Sequence, residues 1–395
     1  MNVVGGTYFE SCAFPAWAGL FGSGARAAMA VSALSPGTRL STYAYAESAG
    51  DLRATMAAFE VETDIVAIGE RLEFEYWHPL RKSWVPEAGR RYADLAVTGD
   101  VVLGFGMLEG TARLTAGRAV YDPRSADPAS SFVRSGSRAT EQLAYVVQDA
   151  DLVRLGPLPD PRDAATGVMA REGATLVVSR HAFGGATVYR GDAPGIPVPA
   201  YAARRWFRIG AGDVFCAAFA HYWGERGFDA VGAADLASRC VAWFNDGARL
   251  PLPPPDELEG MEAVTGRPAS GCRVYLSGPR RTMAQRWLFD EAAAYLDALG
   301  FRTETAFADD GPRSPTRANW PPRPRVPHSA LLALGDVADL GTNLHVGYAQ
   351  ANGMPVVLLA ETASGGDLTM FSGSGCEVTH DLATALYRTC VACLR

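Results

Sequence analysis

Between residues 207 and 227 the chain reads FRIGAGDVFCAAFAHYWGERG, and this segment carries the residues best spaced for chemistry. Gly210, Ala211 and Gly212 precede a helix whose apolar face runs through Val214, Phe215, Ala218 and Phe219, so small residues leave the first-turn amides open to a bound anion. Asp213 stands at the start of that helix. A carboxylate there can accept the proton of an attacking hydroxyl while the amides stabilise charge developing on a transferred phosphoryl group. The same residues also suit a plain helix start, with an aspartate near the N-cap beside packing glycines.

One count narrows the chemistry. The chain has a single lysine, Lys82, against 35 arginines, so neither a GxxxxGK[ST] phosphate loop nor the strand lysine of a protein kinase can be assembled. A phosphate chain bound here is held without a lysine clamp.

The elements that must position these residues follow from periodicity. Apolar β-rich runs at 64–69 (DIVAIG), 100–106 (DVVLGFG), 175–179 (TLVVS) and 186–191 (ATVYRG) alternate with helix-like stretches, among which 140–147 (TEQLAYVV) is read as helical. The alternation implies an α/β architecture with a mainly parallel sheet. Residues 251–256, PLPPPD, open a proline-bearing linker. A new βα unit begins at Cys272, with a strand at 273–278 (RVYLSG) and a helix at 282–300, followed by a proline-rich loop at 309–327, a strand at 331–336, a helix at 341–353 and a strand at 355–361. The expected domains are 1–255 and 272–395, joined by 256–271.

At 395 residues and 48% hydrophobic composition the chain supports two ordinary cores. A formal net charge of −7 with no block of five like charges argues against a broad grip on nucleic acid or acidic lipid, and favours a small-molecule ligand. Residues 1–8 read as a first strand and turn, not a leader, and no 18-residue apolar run occurs, so the expected location is the cytoplasm. The seven cysteines are odd in number and scattered, against a disulfide framework; Cys390 and Cys393, the one close pair, read as helix-face thiols before a zinc site. Trp243 and Trp287, at helical spacing among apolar neighbours, are expected in the core, not as base-stacking platforms.

GAGDVFCAAF, after about 200 residues of α/β chain, resembles the C-terminal signature of the PfkB (ribokinase-type) sugar and nucleoside kinases. FGSGARAAMAVSA at 21–33 resembles that family's glycine motif, YDPR at 121–124 its DPN-like strand end, and Gln148-x-x-Asp151 a form of its NxxE. The resemblance covers residues 1–250. It implies a three-layer ribokinase-like domain with a small strand lid, ATP and Mg²⁺ as cofactors, and Asp213 as general base with Gly210, Ala211 and Gly212 as the anion hole. It further implies substrate binding by Glu10, Gly22, Ser23, Gly24 and Arg26. Gln148 and Asp151 would organise magnesium through waters with no direct metal ligand, and Ser179, Gly184 and Asn245 would flank the nucleotide. Arg26 replaces the family's asparagine, Phe207 an aspartate and His181 a glycine. An arginine in the sugar pocket would favour a sugar acid or phosphorylated sugar, and Arg204, Arg205 and Arg208 could line the phosphate path.

Residues 272–395 resemble the nucleoside 2-deoxyribosyltransferases through VYLSGPRRTMAQRWLFDEA, GDVADLGTNLHVGYAQANG and the segment 367–388. That implies a flavodoxin-like parallel sheet and a nucleoside or nucleotide pocket formed by Tyr275, Gly278, Pro279, Asp339 and His345. His345 stands where the family has its nucleophilic glutamate, so transferase activity is expected to be lost. Three functions are carried forward: a sugar or nucleoside kinase, a non-catalytic nucleotide sensor, and a glycosidase using Asp339 and water. Both families often oligomerise, which makes a homo-oligomer a possibility.

Overall fold

The computed structural model describes residues 1–84, 91–125, 130–156, 160–183, 185–264, 272–305, 329–336, 339–363 and 365–394. Gly184 and the 309–327 loop, both singled out by sequence, lie outside the described residues. The chain divides into two compact units, Met1–Ala263 and Val264–Arg395, so the boundary falls inside the expected 256–271 linker. Among the described residues no helix is long and apolar enough to cross a membrane.

The strands of the first unit are β1 (Asn2–Val4), β2 (Phe9–Cys12), β3 (Trp17–Leu20), β4 (Arg39–Tyr45), β5 (Glu62–Ile68), β6 (Glu73–Tyr76), β7 (Leu95–Phe105), β8 (Ala112–Asp122), β9 (Arg138–Gln148), β10 (Leu176–Arg180), β11 (Ala186–Tyr189), β12 (Ile196–Val198) and the short β13 (Ala200–Tyr201). Its helices are α1 (Gly22–Val31), α2 (Ala49–Ala58), α3 (Asp149–Leu155), α4 (Pro161–Glu172), α5 (Ala211–Phe219) and α6 (Ala230–Asn245). The main sheet runs β12-β11-β10-β9-β8-β7-β1-β4-β5, parallel from β5 to β10 and antiparallel at β11 and β12. A separate three-stranded sheet, β3-β2-β6, provides the small strand layer expected as a lid.

Both faces of the main sheet are buried, which makes three layers. Val3, Leu103, Val120, Val146 and Val178 pack with α1, α5 and α6 on one face. Their strand neighbours Val4, Val102, Ala119, Val147 and Val177 pack with α3 and α4 on the other, the period-two alternation of a strand. This two-sided burial corrects the helical reading of 140–147: that run is the centre of β9, and Leu143 through Val147 are buried in succession between β8 and β10. The helix begins only after it, at Asp149.

All ten residues of α1 are buried, which explains its run of glycine and alanine. The helix sits close enough to the β1–β2 connection that Gly24 N donates to Gly6 O at 3.1 Å. A Cβ at Gly24 would stand 2.4 Å from the Gly5 carbonyl oxygen. Gly22 takes φ +75 and its Cβ would stand 2.4 Å from the Gly6 carbonyl. These two glycines, expected to approach a substrate, are spent on backbone contact.

The second unit opens at β14 (Ala263–Val264, straddling the boundary) and continues through β15 (Arg273–Ser277), α7 (Met283–Ala298), β16 (Arg302–Thr305), β17 (Ala330–Leu334), α8 (Leu340–Ala351), β18 (Val356–Leu359), α9 (Gly365–Gly373), β19 (Glu377–Thr379) and α10 (Leu382–Leu394). Its sheet is wholly parallel in the order β16-β15-β17-β18-β19. Thr282 starts α7 with a reciprocal cap, its Oγ1 accepting from Gln285 N at 3.2 Å while its own amide donates to Gln285 Oε1 at 3.1 Å. Trp287, expected in the core, is 48% exposed, because the buried stripe of α7 passes through Phe289, Ala292 and Leu296.

Replacing Gly24 by alanine forces a backbone-to-Cβ clash that no rotamer relieves. The expected result is a loss of about 1–3 kcal/mol, read as a lower urea midpoint at unchanged slope for the first unit.

Candidate active site

The amides at the start of α5 are presented by a left-handed turn, since Gly210 has φ +83. Asp213 lies in the first helical turn and is 1% exposed. Its surroundings are cationic. Arg26, projecting from α1, donates from Nη1 to Asp213 Oδ2 at 2.8 Å and pairs through Nη2 with Glu10 of β2. Glu10 Oε1 also accepts from Gly22 N at 3.0 Å. Burial alone would disfavour the Arg26 charge, but Glu10 and Asp213 overcome it and hold its pKa above the ordinary arginine value.

On the other side of Asp213 the ladder continues. Arg124 Nη1 is 3.0 Å from Asp213 Oδ1 and 3.5 Å from Asp122 Oδ2, and Arg180 Nη2 donates to Asp122 Oδ2 at 2.9 Å. Arg124 follows the end of β8 with φ +59, and Asp122 Oδ1 accepts its amide at 2.9 Å, fixing that unusual backbone. The Arg124 contact is charge to charge without hydrogen-bond alignment, so buried Asp213 Oδ1 accepts no hydrogen bond. Arg180 Nε is likewise buried with no partner.

The guanidiniums lie directly over the glycine turn. A Cβ at Gly210 would meet Arg26 Cδ at 2.2 Å, and one at Gly212 would meet Arg180 Nη1 at 2.1 Å. Gly210 and Gly212 therefore accommodate arginine side chains, and the Ala211 amide between them donates to Arg208 O at 3.1 Å. Arg208 lies over the Trp206 ring at 5.1 Å. Burial and then Arg180 push its pKa down to about 10, and no carboxylate pairs with it among the described residues. Arg204 and Arg205 are exposed, with their amides on Asp246 Oδ1, so of the three arginines expected on a phosphate path only Arg208 is drawn toward the cluster.

The remaining expected residues divide. Ser23 is buried in α1. Asp151 is half-buried, its pKa raised by burial and then by Asp122, and it lies 3.7 Å from Arg154. Gln148 is exposed at the end of β9, while the neighbouring Asp149, missed from sequence, pairs with Ser179 and His181. His181 Nε2 lies 2.9 Å from Thr187 Oγ1. Asn245 is buried at the end of α6. The expectation that Arg26 would meet an anionic substrate needs correction: two buried carboxylates already satisfy its charge. Arg180 and Asp122 were also missed, although both sit at the C-terminal ends of parallel strands, where ligands of open α/β sheets gather.

In the second unit, His345 of α8 lies 2.8 Å by Nδ1 from Ser277 Oγ and meets the Tyr275 ring edge-on at 5.2 Å. Burial lowers its pKa, against the pull of Asp339. Asp339 caps α8: Oδ2 accepts from Thr342 N at 2.9 Å and Thr342 Oγ1 at 2.8 Å, and Oδ1 from Arg281 at 3.0 Å. Burial raises the Asp339 pKa, but these partners outweigh it and hold it low. Gly278 follows β15 with its missing Cβ 2.9 Å from Leu334 Cβ, and Pro279 comes next. Cys390 is buried, its thiol pushed well up by burial.

Removing the charge that Asp213 and Glu10 share is the decisive structural test. Arg26→Ala is expected to cost about 3–5 kcal/mol in chemical denaturation, since it leaves buried Glu10 without its cation and buried Asp213 with Arg124 alone. Combining Arg26→Met with Glu10→Gln is expected to restore part of that loss, read as a non-additive double-mutant cycle.

Solved structures similar to the chain are kinases of the PfkB/ribokinase family. A pyrophosphate-dependent kinase of the ribokinase family, solved with a pyrophosphate analogue and myo-inositol, is 15% identical, covers 64% of this chain and 97% of its own, and has a TM-score of 0.47. Fructokinase from Vibrio cholerae O395, solved with fructose, ADP and calcium, is 14% identical, covers 62% and 92%, and also scores 0.47. Phosphofructokinase-2 from Escherichia coli, solved with substrates and products, is 12% identical, covers 64% and 95%, and scores 0.45. No protein-family model matches the chain, and no curated protein does.

Proposed function

We propose that the first unit is an ATP-dependent phosphotransferase acting on a hydroxyl of a sugar-like or nucleoside-like small molecule. The observation that carries this reading is Asp213 Oδ1: a buried carboxylate oxygen at the first turn of α5, accepting no hydrogen bond, behind the Gly210–Gly212 amides. A general base needs an acceptor with no hydrogen-bond donor of its own, and here the Arg124 guanidinium 3.0 Å away is what an acceptor hydroxyl would displace. The donor set fits a phosphate chain, because Arg180 Nε is buried without a partner and Arg208 is a cation without a carboxylate among the described residues. Among the described residues no three acidic, histidine or cysteine side chains are placed to hold a metal directly. Mg²⁺ would therefore ride on the phosphates and on waters organised by Asp151. ATP supplies the phosphoryl group. Asp213 takes the acceptor's proton, the α5 amides with Arg180 and Arg208 stabilise the transferring charge, and the β3-β2-β6 lid excludes water. The second unit is proposed as a flavodoxin-like nucleoside- or nucleotide-binding domain without transferase activity, because its strand order is that of such folds and His345 is occupied with Ser277.

A specific observation favours a second reading, a non-catalytic nucleotide sensor. Arg26 joins both carboxylates that would meet an acceptor and lies over Gly210. The glycosidase reading is not favoured, since both oxygens of Asp339 are engaged.

ATP consumption with Mg²⁺ across sugars, sugar acids, sugar phosphates and nucleosides separates the two. The kinase reading expects acceptor-dependent ADP formation, reduced at least about 10²-fold in Asp213→Asn while nucleotide binding persists. Absence of turnover, with saturable nucleotide binding by both proteins, would establish the sensor.

A further inference from the structure

Successive residues of a strand face opposite sides, so Phe9 points away from the side on which Glu10 meets Arg26. On the Phe9 side lies a cavity of about 310 Å³, bounded also by Thr7, Leu20 and Leu72. Four carboxyl groups line it, those of Glu47, Asp51, Glu70 and Glu109, against one guanidinium, Arg71, which is itself paired with Glu73. Glu47 and Asp51 are exposed and mark the mouth. Glu109 is 1% exposed. Tyr8 Oη donates to Glu109 Oε2 at 2.8 Å, while Oε1 is buried with no hydrogen-bond partner. A buried carboxyl oxygen without a hydrogen-bond donor, on a residue that lines an acidic cavity, is costly unless a donor arrives to meet it.

We infer that this cavity binds a small organic ligand carrying a primary ammonium group, which Glu109 receives at the buried end. An ammonium supplies three donors and a positive charge to a cavity lined by four carboxyl groups and one guanidinium. Among the described residues no cluster is placed to hold a metal ion, which sets an organic cation ahead of an inorganic one. The apolar wall of Phe9, Leu20, Ile68 and Leu72 suits a short methylene chain, and the Arg71 guanidinium 5.2 Å from the Phe9 centroid shows that a cation sits stably on that ring. Glu47 and Asp51 at the mouth would reward a second amine. The inference stands apart from any role of Asp213.

Burial, with a smaller push from Glu70, raises the Glu109 carboxyl to about 7 against its interactions with its own backbone amide, with Tyr8 and with the Leu108 amide. Tyr8, Tyr43, Glu70 and Arg124 are the other titratable or charged groups around it, and burial pushes both tyrosines further above neutrality. Ammonium binding should therefore strengthen as pH rises through about 7, where Glu109 ionises and alkylammonium groups stay charged.

Isothermal titration of the full chain with putrescine, and with 1,4-butanediol as the uncharged match, tests the inference. The expected result is saturable putrescine binding, stronger at pH 8 than at pH 6, no binding of the diol, and a loss of about tenfold or more in Glu109→Gln. Should Glu109→Gln fail to fold, exposed Asp51→Asn is expected to weaken binding in its place. No saturable putrescine binding, equal binding of the diol, or affinity unchanged in the folded variants would overturn it.

Discussion

The first unit is organised around one buried cation. Arg26 leaves the all-buried helix α1 and joins Glu10 of the β3-β2-β6 sheet to Asp213 of α5, so a single guanidinium ties three elements to one point. Taking these charges out of water is expensive, and a buried pair of this kind adds little net stability over an apolar replacement. What it does supply is position. Strand β2, the helix α1 and the base of α5 have one arrangement in which every charge is met.

From that point the charges alternate outward, Asp213 to Arg124, Asp122 and Arg180, and the ladder ends in an excess of cation where Arg208 has no carboxylate among the described residues. The inner part of the site is self-neutralised and the outer part carries net positive charge. An anionic phosphate chain is the ligand whose charge would complete the series, whereas an uncharged hydroxyl compound must compete with Arg26 for Glu10 and Asp213. The two functional readings differ on whether that competition is won.

Much of this was legible in the sequence. The Gly-Ala-Gly-Asp spacing located the α5 start, the proline run at 251–256 preceded the observed boundary, and Tyr275 and His345, grouped by sequence, meet ring to ring. The failures have physical causes. The TEQLAYVV segment carries an apolar run whose period does not separate a doubly buried strand from a helix, and only its place between two parallel neighbours decided the matter. Arg26 was judged by residue type alone, as an anion receptor, because nothing in the local sequence reveals that Glu10 and the distant Asp213 converge on it. Gly22 and Gly24 were assigned to a ligand because nothing local reveals that another backbone occupies their missing Cβ positions.

The spacing of the three central charges along the chain also governs when the site can exist. Glu10 and Arg26 are 16 residues apart, but Arg26 and Asp213 are 187 apart. On a growing polypeptide, the first pair can form as soon as the β2-β3 hairpin and α1 emerge, while its third member is still unmade. Closing so long a loop adds only a logarithmic entropic cost, yet contacts this remote in sequence form slowly. Until α5 docks, the Arg26–Glu10 pair lacks its third member.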